Sequence, residues 1–148
     1  MDVGGMPQRD VLHAVELFGQ PLVALAGYAS DPSHGKMQGV ITIHLKYEID
    51  ADKLEDFEEY GRRWVLLVNR FGGTHHGYFL PSEGDSDIAF ALFSFPSLAA
   101  YEQYRMDSMS DPECQEAFAL ARETRCIKRY ERRFLRPLDG VPQPTVSG

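Results

Sequence analysis

Cysteine is scarce in this chain, positive charge is in deficit, and long apolar runs are missing. The only two cysteines, Cys114 and Cys126, form no CxxC pattern, and Glu16, Gln20 and Pro21 interrupt the apolar stretch near the N-terminus. A reducing, cytoplasmic setting is therefore expected, without a secretory signal. No uninterrupted apolar segment approaches the roughly 20 residues that span a bilayer, so no membrane span is expected. The formal net charge of −7 argues against nucleic-acid binding by broad phosphate neutralisation, which needs a basic face. Lys128, Arg129, Arg132, Arg133 and Arg136 do cluster late in the chain; a solvated or interface strand face accounts for them better than an anion site. A Gly-rich phosphate loop, a nucleophile elbow and an HExxH helix are all lacking, and Gly72-Gly73 precedes a strand-like run. Nucleotide-dependent, serine-hydrolase and zincin readings fall away.

What is present is ordinary globular usage: 148 residues, 43% hydrophobic and 25% charged, enough for one domain with a real core. Residues 1–38 read as an N-terminal arm, a short helix followed by an extended piece. Residues 39–138 read as the folded domain and 139–148, rich in Gly and Pro, as a loose tail. In Gly39 to Ile49, apolar Ile41, Ile43, Leu45 and Tyr47 alternate with Thr42, His44 and Lys46, as a half-buried strand requires. Asp50 is a plausible N-cap for a helix whose stripe runs through Leu54, Phe57, Gly61, Trp64, Val68 and Phe71, with Gly72-Gly73 as the stop. Thr74 to Leu80 and Asp87 to Phe95 read as a hairpin. Pro96-Ser97 opens a second helix that Asp111-Pro112 restarts, turning Leu98, Tyr101 and Arg105, then Cys114, Phe118 and Ala121, inward. The last strand, Ile127 to Leu135, sets Tyr130 and Phe134 against Glu131 and Arg133.

The order β-α-β-β-α-β is the split βαβ arrangement: an α+β, ferredoxin-like fold with a four-stranded antiparallel sheet and its helices on one face. Strict alternation puts Val40, Thr42 and His44 of the first strand and Thr74, His76 and Tyr78 of the second on single faces. A bare face of such mixed polarity calls for burial against a second copy, so a homodimer is expected.

Several segments carry a resemblance: His44-Leu45-Lys46-Tyr47, Arg62-Arg63-Trp64, Gly72 to Phe79, Ser97 to Tyr101 and Asp111-Pro112-Glu113. Through them, residues 39–136 resemble the NIPSNAP family. The resemblance implies a dimeric α+β barrel, in which two ferredoxin-like sheets face one another. That wider group includes cofactor-free monooxygenases, isomerases and haem-handling enzymes, so the resemblance does not choose a reaction.

Among residues able to carry chemistry, His75 and His76 point to opposite faces of a strand and do not readily share one metal ion. No metal and no cofactor are expected. His76, if it shares a face with His44, offers either a general base near neutrality or an interface hydrogen bond. Tyr78 and Arg105 complete the catalytic candidates; Arg105 either pairs with an acid such as Glu102 or meets an anionic substrate. Tyr47, Trp64 and Tyr104 are candidates for a pocket wall around an aromatic or acyl molecule, and equally for core edge. Two functions stay open: a small-molecule-binding or scaffolding homodimer without turnover, and a cofactor-free monooxygenase or isomerase acting between sheet and helices.

Overall fold

The computed structural model describes residues 39–139. The expected N-terminal arm, and the expected tail beyond Asp139, lie outside the described residues. Four strands and three α-helices follow in chain order: β1 (Ile41–Ile49), α1 (Leu54–Arg70), β2 (Thr74–Phe79), β3 (Ile88–Phe95), α2 (Leu98–Ser108), α3 (Pro112–Thr124) and β4 (Ile127–Leu135). The strands form one antiparallel sheet in the order β2-β3-β1-β4, as the ferredoxin-like reading requires.

β1 holds the sheet's centre, and its alternation decides which face is covered. Ile41, Ile43, Leu45, Tyr47 and Ile49 are buried beneath the helices, because a strand's side chains alternate faces with period two. α1 answers with Phe57, Tyr60, Gly61, Trp64, Leu67 and Val68 on its buried side, a stripe at helical spacing. Its outer side carries ion pairs of Glu58 with Arg62 and Glu59 with Arg63, each worth only a few tenths of a kcal/mol on an exposed helix. Asp50 caps a short 3-10 turn, Ala51–Lys53, through the Asp52 N–H, and α1 grows from that turn.

Turn chemistry sets the remaining boundaries. Gly72 ends α1 with φ +93°, a left-handed conformation that glycine adopts without a Cβ penalty. Ser97 caps α2 by accepting the Ala100 N–H at 3.0 Å. Asp111 breaks the second helical stretch in two: its carboxylate accepts the Cys114 N–H at 3.0 Å and the Arg70 guanidinium at 2.7 Å. One side chain thus caps α3 and ties it to the end of α1. Asp111→Ala is expected to lower stability by about 1–2 kcal/mol, read as a lower midpoint in urea denaturation; an unchanged midpoint would mean that neither contact matters in solution.

One expectation about faces needs correcting. β2 contains a bulge: His75 pairs with Phe93 and Gly77 with Leu92, leaving His76 as the extra residue. Gly77 takes φ +120° there. The insertion shifts the alternation by one, so Tyr78 leaves the face of His76 and joins His75 on the helix side. Gly61 makes room for it: a Cβ at that position would stand 3.1 Å from the Tyr78 ring.

Candidate functional site

Between sheet and helices lies a partly open cavity of about 30 Å³, bounded by Tyr47, Tyr60, Trp64, His75, Tyr78, Tyr101, Tyr104 and Arg132, with aliphatic and phenylalanine neighbours beside them. That volume suits one or two waters. Its walls are nevertheless rich in polar tips, which a purely structural core avoids unless each is satisfied.

Each wall residue has a local reason for its place. Tyr47 comes from the central strand, and its ring meets Phe57 of α1 edge-on at 5.1 Å and lies 6.0 Å from Tyr78. Trp64 follows from the α1 stripe and packs against Tyr60 and Phe118. Tyr104 stacks on Phe95 at 4.9 Å. His75 stacks on Tyr78 at 5.0 Å and on Phe93 at 5.5 Å, with angles of 15° and 28° between the ring planes. Asn69, in the last turn of α1, accepts the His75 backbone N–H at 2.9 Å and so anchors the start of β2 to the helix.

The electrostatics of the cavity follow from burial. Loss of solvation holds the Tyr47, Tyr60, Tyr78 and Tyr104 hydroxyls above the ordinary tyrosine range, since burial disfavours the charged form. The same cause, aided by neighbouring His76, lowers the His75 imidazole to about 4. Arg132 behaves differently: burial works against its charge, but the hydroxyls of Tyr101, Tyr130 and Tyr47 outweigh it and the guanidinium is held more firmly cationic. Its Nη1 donates to the Tyr101 hydroxyl at 2.9 Å.

Of the sequence-derived candidates, Tyr47, Tyr78, Trp64 and Tyr104 meet at this cavity. His44 and His76 lie on the opposite, open face of the sheet. There His76 Nε2 is 2.9 Å from the Ser94 hydroxyl, which is 2.6 Å from that of Thr42, and His44 packs against Phe90 at 5.4 Å. Arg105 is buried on α2 with its guanidinium 5.9 Å from the centre of the Tyr101 ring, outside the cavity wall. Among the described residues no ion pair joins it to Glu102. The site candidates named from sequence left out four of these wall residues, Tyr60, His75, Tyr101 and Arg132. Arg132 was legible by period two from Tyr130 and Phe134, but the basic run around it read as a solvated face.

Among the described residues no group of three or more His, Cys, Asp and Glu is arranged to hold a metal ion, and no helix is long and apolar enough to cross a membrane. Cys114 and Cys126 are buried free thiols, and burial, helped by the Asp111 carboxylate, pushes the Cys114 thiol up to about 12.

The NIPSNAP family model matches residues 45–142. This chain belongs to the NIPSNAP family. A NIPSNAP family protein of Agrobacterium tumefaciens superposes with a TM-score of 0.59 at 22% identity, covering 71% of this chain and 99% of that one. A NIPSNAP-like domain protein of Burkholderia xenovorans gives 0.57 at 20% identity, covering 72% and 91%. A Caulobacter crescentus protein, whose description proposes an antibiotic biosynthesis monooxygenase, gives 0.53 at 15%, covering 74% and 99%. At such identities these likenesses concern the fold. Among proteins with curated descriptions, none matches this chain.

Proposed function

We propose that this NIPSNAP chain is a cytoplasmic homodimer that binds a small apolar, acyl or aromatic molecule in the cavity between helices and sheet, without turning it over. One observation carries the reading: the cavity combines aromatic walls and polar tips with ionisable groups displaced from neutrality. His75 is lowered to about 4 and the tyrosines are raised, whereas a general acid or base works best with a pKa near the operating pH. Such a set recognises better than it transfers protons. At about 30 Å³ the cavity must widen to admit a ligand.

Self-association is supported by the open face. Phe79 and Phe90 face one another across β2 and β3 and are 55% and 36% exposed, with Leu92 and His44 beside them. A contiguous apolar patch on a sheet with one face already covered favours a partner, and a second copy placed on a two-fold axis buries the same residues from both sides. The two buried thiols suit a reducing compartment.

Native mass spectrometry of the full chain tests both halves. The expected result is a species of twice the 16.7 kDa chain mass, converted to monomer by Phe90→Lys, and carrying a retained molecule or accepting aromatic and acyl probes. A monomer at micromolar concentration would sink the dimer. A dimer whose Trp64 emission ignores every probe would sink the ligand, and oxygen consumption with a bound probe would replace binding by the monooxygenase reading.

A further inference from the structure

The ring of His75 has two nitrogens in different circumstances. Nδ1 accepts the backbone N–H of Gly77 at 2.9 Å. A backbone amide only donates, so Nδ1 must present a lone pair, and in a neutral imidazole the proton then resides on Nε2. Nε2, on the far side of the ring, is shielded from solvent and has no hydrogen-bond partner among the described residues. The bulge supplies the geometry: with the extra residue His76 inserted, the Gly77 amide turns back onto the side chain two positions earlier. The rings of Tyr78 and Phe93 then hold the imidazole flat, so it has little freedom to exchange its nitrogens.

We propose that His75 is a tautomer-locked hydrogen-bond donor, and that the cavity selects a ligand carrying an acceptor oxygen, a carbonyl or a carboxylate, which His75 Nε2–H binds. This rests on the ligand-binding reading above and names the chemical class. An Nε2–H without an acceptor costs the folded protein its lost hydration, and an incoming oxygen restores what water would have given. The low proton affinity of the ring, about 4, keeps it a neutral donor through the physiological range. Arg132, on the same cavity wall, adds a positive charge that disfavours ammonium ligands and favours acids. The role differs from that of a general base: a donor holds the oxygen of a bound ligand and takes nothing from it.

Two measurements on the full chain test this. Long-range proton–nitrogen NMR of the imidazoles is expected to show His75 protonated at Nε2 and bare at Nδ1, unchanged between pH 5.5 and 8; the Nδ1–H tautomer, or a titration in that range, would overturn the proposal. Acetophenone and α-methylstyrene are nearly isosteric but only the ketone has an acceptor. The ketone is expected to bind at least about tenfold more tightly, a preference abolished in His75→Phe and retained in His75→Gln, whose amide can donate. Equal binding of both probes, with the native tautomer as expected, would overturn the ligand class and leave the cavity reading standing. No binding of either probe, with longer ketones and acids equally silent, would bring down the cavity reading and this proposal together.

Discussion

Phe57→Ala is expected to destabilise the protein by about 3–5 kcal/mol, a large share of the roughly 5–15 kcal/mol that holds a domain of this size together. Phe57 is fully buried, and its ring touches three others: Tyr47 at 5.1 Å, Tyr78 at 5.8 Å and Tyr60 at 6.1 Å. Truncation removes the transfer free energy of the ring and leaves a void that three partly constrained tyrosines cannot fill without abandoning their own contacts. Because all three belong to the cavity wall, ligand binding should weaken along with stability. The control is Leu66→Ala on the outer side of α1, where the side chain is 71% exposed and the change should stay within about 0.5 kcal/mol. Guanidinium denaturation of both variants at one protein concentration, chosen because dimers gain stability with concentration, checks the contrast. Equal midpoints would refute this account of the core.

The second large effect is a dependence of stability on pH. In the unfolded chain His75 takes up a proton near pH 6.5, while in the folded chain burial defers uptake to about 4. Between those values the unfolded state binds more protons, so stability rises with pH. The contribution is complete above about pH 6.5 and is lost as the pH falls toward 4, amounting to at most about 3 kcal/mol. Partial burial lowers His76 in the same direction, reinforcing the slope. The hydrogen bond and charge of their arginine partners hold the Glu59 and Asp111 carboxyls low, so their stabilisation is lost further down, as pH falls through and below the usual carboxylate range. Urea midpoints measured from pH 7 to 4, compared between the native chain and His75→Phe, separate the histidine from the carboxylates. A slope of equal size in the variant would show that His75 is not the group responsible.

Much of the fold was legible because its signals are local. The alternation of Ile41, Ile43, Leu45 and Tyr47 fixes a strand and its buried face; the spacing of Phe57, Gly61, Trp64 and Val68 fixes a helix; Ser97 and Asp111 announce helix starts through side chains that accept backbone N–H groups. The contents of the cavity were less legible, for two distinct physical reasons. In Thr74-His75-His76-Gly77-Tyr78, the glycine was a visible hint of irregular backbone, but only pairing with β3 decides that His76 is the extra residue. From that point every side chain changes sides. Arg132 was hidden by composition, since a cation among other cations reads as solvated unless strand alternation is given more weight than local charge. Its companions Tyr101 and Tyr47 come from α2 and β1, and no local pattern reports that encounter.

The sheet order β2-β3-β1-β4 also sets a schedule for a chain made from its N-terminus onward. β1 is the first of the four strands to leave the ribosome, yet it is a central strand whose two neighbours, β3 and β4, are made later. The second of these ends only at Leu135. Until then β1 has at least one open edge, and α1 is the first of the three helices available to shelter its buried face of Ile41, Ile43, Leu45, Tyr47 and Ile49. Pairing partners so far apart in sequence slow folding through the entropy of closing long loops. The nascent protein therefore waits for nearly its whole domain before its central strand is paired on both sides, and the first helix is its earliest shield.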